Sequence, residues 1–296
     1  MPYVLVYEKN LPDHLYLCIN QIKKIDPLEK IYLVTEDHVE LNDVNVLKMS
    51  DIESDSTRII KSKKIYENTK YEKNHLWETS LLRIFYLRDL SSFLNLKEIV
   101  HFDTDVLIYA KLSDIKQNFN TERFNITRLK KNALVFGYSY SHKSNILENL
   151  CNLIEEYLIN KVKVSSWIDS PENEMKILSN LQNENPKFFN ELNVLPSKSE
   201  NQIFDPATYG QMIGGSHSRP RRFTPIGIYK TTKLDSRPRY LPRGGIMDLN
   251  HDIGLELNKK KVKIFFNNGQ PQIIINEKLL NLVNLHIHSK ELNKYI

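Results

Sequence analysis

The first 35 residues combine two short apolar runs with one stretch of helical spacing, and this pattern constrains the fold most strongly. Val4 to Tyr7 and Ile31 to Val34 are continuous apolar runs of the kind buried in parallel sheets. Between them, apolar residues recur at helical spacing from Leu15 to Ile25, and Pro27 ends the predicted helix. A strand–helix–strand opening predicts an α/β fold with a parallel sheet and helices on both faces.

Similar patterns predict further elements along the rest of the chain. The predicted segments are helices over Leu76–Leu90 and Ile146–Leu158, and strand segments over Glu98–Tyr109, Ala133–Tyr138, Lys263–Phe266, Gln272–Ile275 and Leu282–His288. Residues 50–75 are predicted to form a mobile loop or a short irregular helical region, and residues 185–201 to be mostly loop. The pair Asn268-Gly269 predicts a hairpin between the strands on either side of it. No repeat or domain linker is evident, so we expect a single domain over residues 1–296.

Composition favours a soluble enzyme. Hydrophobic residues make up 41% and charged residues 26%, which excludes a disordered chain. The net charge of +5 suits an anionic ligand, although solvated lysine-rich faces explain it as well, and no basic–aromatic tract indicates nucleic-acid binding. Cys18 and Cys151 lie in apolar helical patterns, which predicts two buried thiols in a reducing compartment. No apolar run reaches the length of a signal sequence or a transmembrane span, so we expect a cytoplasmic protein.

Two acidic residues follow a predicted buried strand. Asp103 and Asp105 stand two positions apart, so their side chains share a face if the strand stays extended. Two carboxylates aimed at one point repel each other unless a cation lies between them, and a divalent ion with oxygen ligands fits there. Strand ends are also where open α/β sheets bind ligands. The motif is compatible with a simple turn as well, because Asp is common in turns.

A second chemical motif lies near the other end of the sequence. His286, His288 and Lys290 alternate, and would share one face of an extended strand. A neutral imidazole and two carboxylates form a suitable partial ligand set for Mn²⁺ or Mg²⁺. The alternative for each histidine is a partly buried side chain that makes an ordinary hydrogen bond.

Four segments together resemble glycosyltransferases of the GT-A fold that contain an Asp-x-Asp motif. These segments are Trp77–Arg83, Ile99–Leu107, Phe204–Gly215 and His286–Lys290. The third resembles a loop of uncharacterised bacterial and viral members, and the fourth resembles the C-terminal metal and phosphate segment of glycogenin-like enzymes. In those enzymes a glycine separates the histidine from the lysine, whereas Ser289 stands here.

The resemblance implies a Rossmann-like, mostly parallel sheet with a C-terminal metal-site segment, residues 1–110 binding the nucleotide and residues 111–296 binding sugar and acceptor. It implies Mn²⁺ or Mg²⁺ on Asp103, Asp105 and His288, with His286 as the second choice and Asp105 as the stronger acidic ligand. The implied donor-binding residues are Val6, Tyr7, Arg83, Asp103, Thr104, Gly214, Gly215 and Lys290.

The expected activity is transfer of a sugar from a nucleotide-diphosphate donor, such as a UDP-sugar, to a glycan, glycolipid or protein acceptor. Asp205 and Glu174 are the candidate catalytic acids, with a turn before Pro206 and the start of a helix as their respective alternatives. Lys290 would neutralise the departing diphosphate. The C-terminal segment is expected to order as a flap when donor and metal bind.

Two other classes remain open. A phosphohydrolase of the haloacid dehalogenase type also has a strand that ends in Asp-x-Asp, but Leu107 stands where that family has Thr or Val. The other alternative is a nucleotide-sugar or carbohydrate-binding module without catalysis, and the intact acids together with His288 and Lys290 argue against it.

Overall fold

The computed structural model describes residues 1–163, 166–196, 201–213, 223–224, 227–228, 262–275 and 277–296. The helices of these ranges are α1 (Asp13–Ile25), α2 (Met49–Ile52), α3 (Asp55–Ser62), α4 (Leu76–Phe93), α5 (Leu112–Ile115), α6 (Ser144–Val162), α7 (Ser166–Asp169), α8 (Glu174–Glu184) and α9 (Tyr209–Met212). The strands are β1 (Tyr3–Val6), β2 (Ile31–Thr35), β3 (Asn45–Lys48), β4 (Ile99–Phe102), β5 (Val106–Ile108), β6 (Phe124–Lys130), β7 (Ala133–Ser141), β8 (Phe189–Glu191), β9 (Gln202–Ile203), β10 (Phe223–Thr224), β11 (Gly227–Ile228), β12 (Val262–Asn267), β13 (Gln270–Ile275), β14 (Lys278–Leu282) and β15 (Asn284–His286).

Seven strands form the central sheet in the order β3-β2-β1-β4-β7-β6-β8. Neighbouring strands are parallel from β3 to β4 and between β6 and β8, whereas β7 is antiparallel to both of its neighbours. The predicted α/β class with a mostly parallel sheet flanked by helices is therefore confirmed.

The apolar runs at the start of the chain are buried because each face of the sheet is covered. Leu5 belongs to a core cluster that includes Cys18 and Ile22 of α1. Val4, its neighbour on the strand, belongs to a second cluster that includes Phe85 of α4 and Leu150 of α6. Alternation along β1 thus sends adjacent side chains into different cores, as expected for a strand with both faces covered.

A smaller four-stranded sheet has the order β12-β13-β14-β9, and β15 pairs separately with β5. The hairpin predicted at Asn268-Gly269 is confirmed, because β12 and β13 pair antiparallel across it. Both turn residues have positive φ angles, 49° and 79°, as a two-residue hairpin of this kind requires.

The predicted strand Leu282–His288 is wrong in its extent. Two strands occupy this region, and the second ends at His286. The N–H of Lys290 donates to the carbonyl of Ile287, and Lys290 has a φ of 62°, so the chain turns there. Residues 286, 288 and 290 therefore do not alternate along one extended strand.

The two stretches predicted as largely irregular contain short regular elements, and for residues 50–75 these agree with the helical alternative. Short helix α2 begins at Met49, one residue before the first of these stretches, and α3 lies inside it. Strand β8 lies within residues 185–201. Cys18 and Cys151 are free and buried, as predicted. Among the described residues, no helix has the length and apolar character needed to cross a membrane.

Candidate active site

A cavity of about 630 Å³ is lined by residues that directly follow β1 and β4, together with the first half of α4 and the C-terminal segment. Ten of the predicted site residues line it: Val6, Tyr7, Arg83, Asp103, Thr104, Asp105, Glu174, His286, His288 and Lys290. The structure therefore brings together side chains that are far apart in sequence. Gly214 and Gly215, also predicted to bind the donor, lie outside the described residues.

Two carboxylates and one imidazole converge at one point of this cavity. His286 Nε2 lies 3.1 Å from Asp105 Oδ1 and 3.8 Å from Asp103 Oδ2. One ligand atom from each of the three residues lies within 4.8 Å of the other two. Two oxygen donors and one imidazole nitrogen suit a divalent cation such as Mn²⁺ or Mg²⁺, so the donor set fits the implied metal.

Backbone pairing at the end of β4 positions these ligands. Strand β4 ends at Phe102, and the chain turns so that the N–H of Val106 donates to the carbonyl of Asp103, 3.0 Å away. The chain continues as β5, which pairs antiparallel with β15 and sets His286 opposite Val106. The N–H of Ile287 then donates to the carbonyl of Asp105 at 2.8 Å. The histidine reaches the acids because its strand is paired with the strand that follows them.

The surroundings of Asp105 favour its ionised form. Burial alone would raise the pKa of this carboxyl, but His286, His288 and Lys290 together hold it well below its ordinary value. A carboxyl that stays ionised is available to a cation over a wide pH range.

His288 lies next to the three candidate metal ligands, Asp103, Asp105 and His286, but is not one of them. Its ring stacks against the ring of His286, with centroids 4.4 Å apart, and both side chains line the cavity. The group of potential ligands contains His286, the second choice from the sequence. The preference for His288 stays a prediction, and the geometry favours the other histidine.

Arg83 connects the metal group to Glu174. Its guanidinium pairs with Asp103, and its Nη2 lies 3.2 Å from Glu174 Oε1. The guanidinium also lies over the ring of Phe136, 5.3 Å from the centroid. Glu174 begins α8, whose first turn is capped by the side chain of Asn173. Burial raises the pKa of Glu174, and Arg83 opposes this rise.

Asp205 does not line the cavity described above. Its carboxylate is buried, and accepts hydrogen bonds from the backbone N–H groups of Thr208, Tyr209, Gly210 and His286. These contacts favour a structural role for Asp205 in the turn before Pro206 over the predicted role as a base or sugar ligand.

Sequence reasoning missed several residues around the site. His14 of α1 approaches Thr104, with His14 Nε2 3.3 Å from Thr104 Oγ1. His75 lines the cavity, and its Nε2 lies 2.8 Å from Glu8 Oε2. Glu8 could have been noticed because it follows β1 at a strand end, whereas no pattern in the sequence connects His75 or His14 to the motif.

No protein-family model matches the sequence, and no curated protein matches it either. The fold is similar to solved glycosyltransferase structures. Mouse xyloside xylosyltransferase 1 in its apo form is 9% identical, with a TM-score of 0.46, over 69% of this chain and 87% of that chain. The galactosyltransferase LgtC in complex with donor and acceptor sugar analogues is 10% identical, with a TM-score of 0.44, over 69% of this chain and 76% of that chain.

A third similar structure is the apo form of the glycosyltransferase GlyE from Streptococcus pneumoniae. It is 12% identical, with a TM-score of 0.39, over 62% of this chain and 43% of that chain. All three proteins are glycosyltransferases, the class that the sequence motifs resemble. A shared fold does not define an activity, so the function of this chain follows from the residues of its site.

Proposed function

We propose that this chain is a metal-dependent glycosyltransferase that moves a sugar from a UDP-sugar or a related nucleotide-diphosphate donor to a glycan, glycolipid or protein acceptor. The observation that carries the proposal is the convergence of Asp103, Asp105 and His286 on a cavity that Arg83 and Lys290 also line. The volume of the cavity, about 630 Å³, is in the range of small-molecule sites. A bound cation and two basic side chains would complement the charge of a diphosphate.

The three converging side chains would hold Mn²⁺ or Mg²⁺ and leave coordination positions for phosphate oxygens. The bound cation would offset the negative charge that builds on the diphosphate as the sugar leaves. Lys290 also lines the cavity and would donate hydrogen bonds to the same diphosphate. The chain would thus supply three ligands for the cation and, in Lys290, a positive charge in addition to that of the cation.

Arg83 would bind a hydroxyl of the donor sugar or a phosphate oxygen. It is suited to this role because Asp103 on one side and Glu174 on the other fix its guanidinium. Glu174 lines the cavity outside the metal group and is our catalytic candidate. We assign nucleotide binding to residues 1–110, with Val6, Tyr7 and Thr104, and sugar and acceptor binding to residues 111–296.

Donor hydrolysis without an acceptor tests the proposal. Purified protein is incubated with Mn²⁺ and a panel of UDP-sugars and other nucleotide-sugars, and release of nucleoside diphosphate and of inorganic phosphate is measured separately. A glycosyltransferase releases the diphosphate slowly, and a chelator stops the release. Asp105→Asn serves as the variant that should be inactive.

The other two classes give different results in the same assay. Release of inorganic phosphate would indicate a phosphohydrolase. Donor binding, detected as a rise in melting temperature, with no product would indicate a binding module. Either result contradicts the proposed transfer reaction.

A further inference from the structure

The carboxylate of Asp205 joins two segments that are far apart in sequence. Oδ1 accepts the N–H groups of Thr208 and Tyr209 at 2.6 and 2.8 Å, which secures the start of α9. Oδ2 accepts the N–H groups of Gly210 and His286 at 2.8 and 2.9 Å. One buried side chain thus holds both α9 and β15 by their backbones.

Asn284 reinforces this connection. Its Oδ1 accepts the N–H of Asp205 at 3.0 Å, and its Nδ2 donates to the carbonyl of Asp205 at 3.2 Å. Asp205 is 2% exposed and Asn284 is fully buried, so water does not compete for these contacts. Five backbone N–H groups are satisfied here by two side chains, and removal of either side chain would leave some of these donors buried without a partner.

Two glycines show how closely the rest of the protein surrounds His286. A Cβ added to Gly210 would lie 2.2 Å from the carbonyl oxygen of His286, so α9 and β15 approach at a distance that only glycine permits. A Cβ added to Gly137 would lie 2.9 Å from the His286 ring. The backbone of His286 is therefore fixed on the side of α9, and its ring is confined on the side of β7.

We infer that Asp205 is a positioning residue that holds the backbone of His286 so that the imidazole reaches the metal beside Asp105. The inference rests on the metal site of the proposed function. It replaces the predicted catalytic role of Asp205 with a positioning role. Asp205 acts through His286, because its two oxygens are already occupied by backbone donors and it does not line the cavity. Its contribution is comparable to that of an outer-shell residue that orients a metal ligand.

Manganese binding to the nucleotide-free protein tests this role without an activity assay. The dissociation constant for Mn²⁺ is measured by titration, and nitrogen coupling to the bound ion is measured by pulsed electron paramagnetic resonance. We expect Asp205→Ala to weaken binding about 10- to 100-fold, as is typical for loss of an outer-shell partner. The nitrogen coupling of the remaining bound ion should fall as well, because the imidazole is no longer held in place.

A matched control separates positioning from general damage. Tyr209→Phe removes one buried hydrogen bond from the same segment, the 2.6 Å contact with the carbonyl of Val194, but no contact with His286. It should bind Mn²⁺ like the wild type, with the same nitrogen coupling. If Asp205→Ala does not fold, Asp205→Ser is the milder variant, since it keeps a polar atom at this position but its shorter side chain cannot replace the oxygen that accepts from Gly210 and His286.

The possible outcomes are distinct. A folded Asp205 variant with wild-type affinity and nitrogen coupling overturns the inference and leaves the proposed function intact. A wild-type protein that binds no Mn²⁺, or binds it without nitrogen coupling, overturns both the role of His286 and that of Asp205. Weaker Mn²⁺ binding in the Asp205 variant, together with wild-type binding in Tyr209→Phe, supports the inference.

Discussion

The imidazole rings of His286 and His288 are stacked at 4.4 Å, with an angle of 28° between their planes. Only the first of them belongs to the group with Asp103 and Asp105 in the described part of the chain. We expect His286→Ala to abolish measurable Mn²⁺ binding and metal-dependent donor hydrolysis, whereas His288→Ala should retain binding within a few-fold. Titration calorimetry with Mn²⁺ and UDP measures the difference.

The reverse result would restore the sequence-based preference for His288. The melting temperature of each variant without ligand serves as the control, because His286 is only 6% exposed and its removal also affects packing. A variant that loses binding while it keeps its melting temperature has lost a ligand.

Arg83 should matter more for the donor than for the fold. Hydrogen bonds to charged groups contribute roughly 1.5–3 kcal/mol, so Arg83→Ala should raise the donor KM about 10- to 100-fold. Arg83→Lys keeps the charge but loses the planar fork between Asp103 and Glu174, and should recover only part of the loss. Donor saturation kinetics and urea unfolding are measured for both variants. Wild-type KM values in Arg83→Ala would remove this residue from the donor site.

The buried carboxyl of Glu174 should give a distinctive pH dependence of stability. Burial raises the pKa of this acid, so between its ordinary and its raised pKa the folded chain binds a proton that the unfolded chain releases. The free energy of unfolding contributed by this group therefore rises as pH falls through the folded pKa. Glu174→Gln lacks the titration, so the wild type should gain stability relative to it when pH is lowered from a value above the raised pKa to one near the ordinary pKa of a glutamic acid. Urea unfolding at the two pH values checks the sign, and parallel profiles would contradict it.

Truncation after Leu285 should destabilise the fold as well as abolish activity. The removed segment contains Ile287 and Leu292, both fully buried, and the backbone of Tyr295, which accepts a hydrogen bond from the hydroxyl of Tyr109. Burial of the two aliphatic side chains alone is worth roughly 3–6 kcal/mol. Deletion of Ile296, which is 45% exposed, is the control and should leave the free energy of unfolding nearly unchanged.

This expectation differs from the flap predicted from the sequence. Ile287 and Leu292 belong to the same core cluster as Leu5, which favours a C-terminal segment that is part of the fold over one that orders only with the donor. A truncated protein with the wild-type melting temperature would support the flap after all.

The parts of the fold that depend on local pattern could be predicted. The strand–helix–strand opening follows from apolar spacing, the hairpin at Asn268-Gly269 follows from the need for positive φ angles, and the placement of Asp103 and Asp105 follows from the strand before them. Each of these features depends on residues within one element or one turn.

The remainder depends on pairings between distant segments. Nothing in the sequence around Arg83 indicates that Glu174 lies beside it. The extent of β15 differs from the predicted strand because the chain turns after His286, where the N–H of Lys290 donates to the carbonyl of Ile287, and no local pattern predicts this turn. Asp205 was taken for a possible catalytic acid because a sequence shows that a carboxylate is present but not which donors occupy it.

The pairing of β5 with β15 also determines when, during synthesis, the three candidate metal ligands can come together. The acids at 103 and 105 leave the ribosome before His286 does, so the nascent chain carries two closely spaced carboxylates without this imidazole while residues 106–285 are synthesised. Nothing assembled before residue 286 emerges can coordinate a cation through all three side chains. If the proposed metal site is correct, binding of the ion through all three ligands therefore follows the synthesis of residue 286.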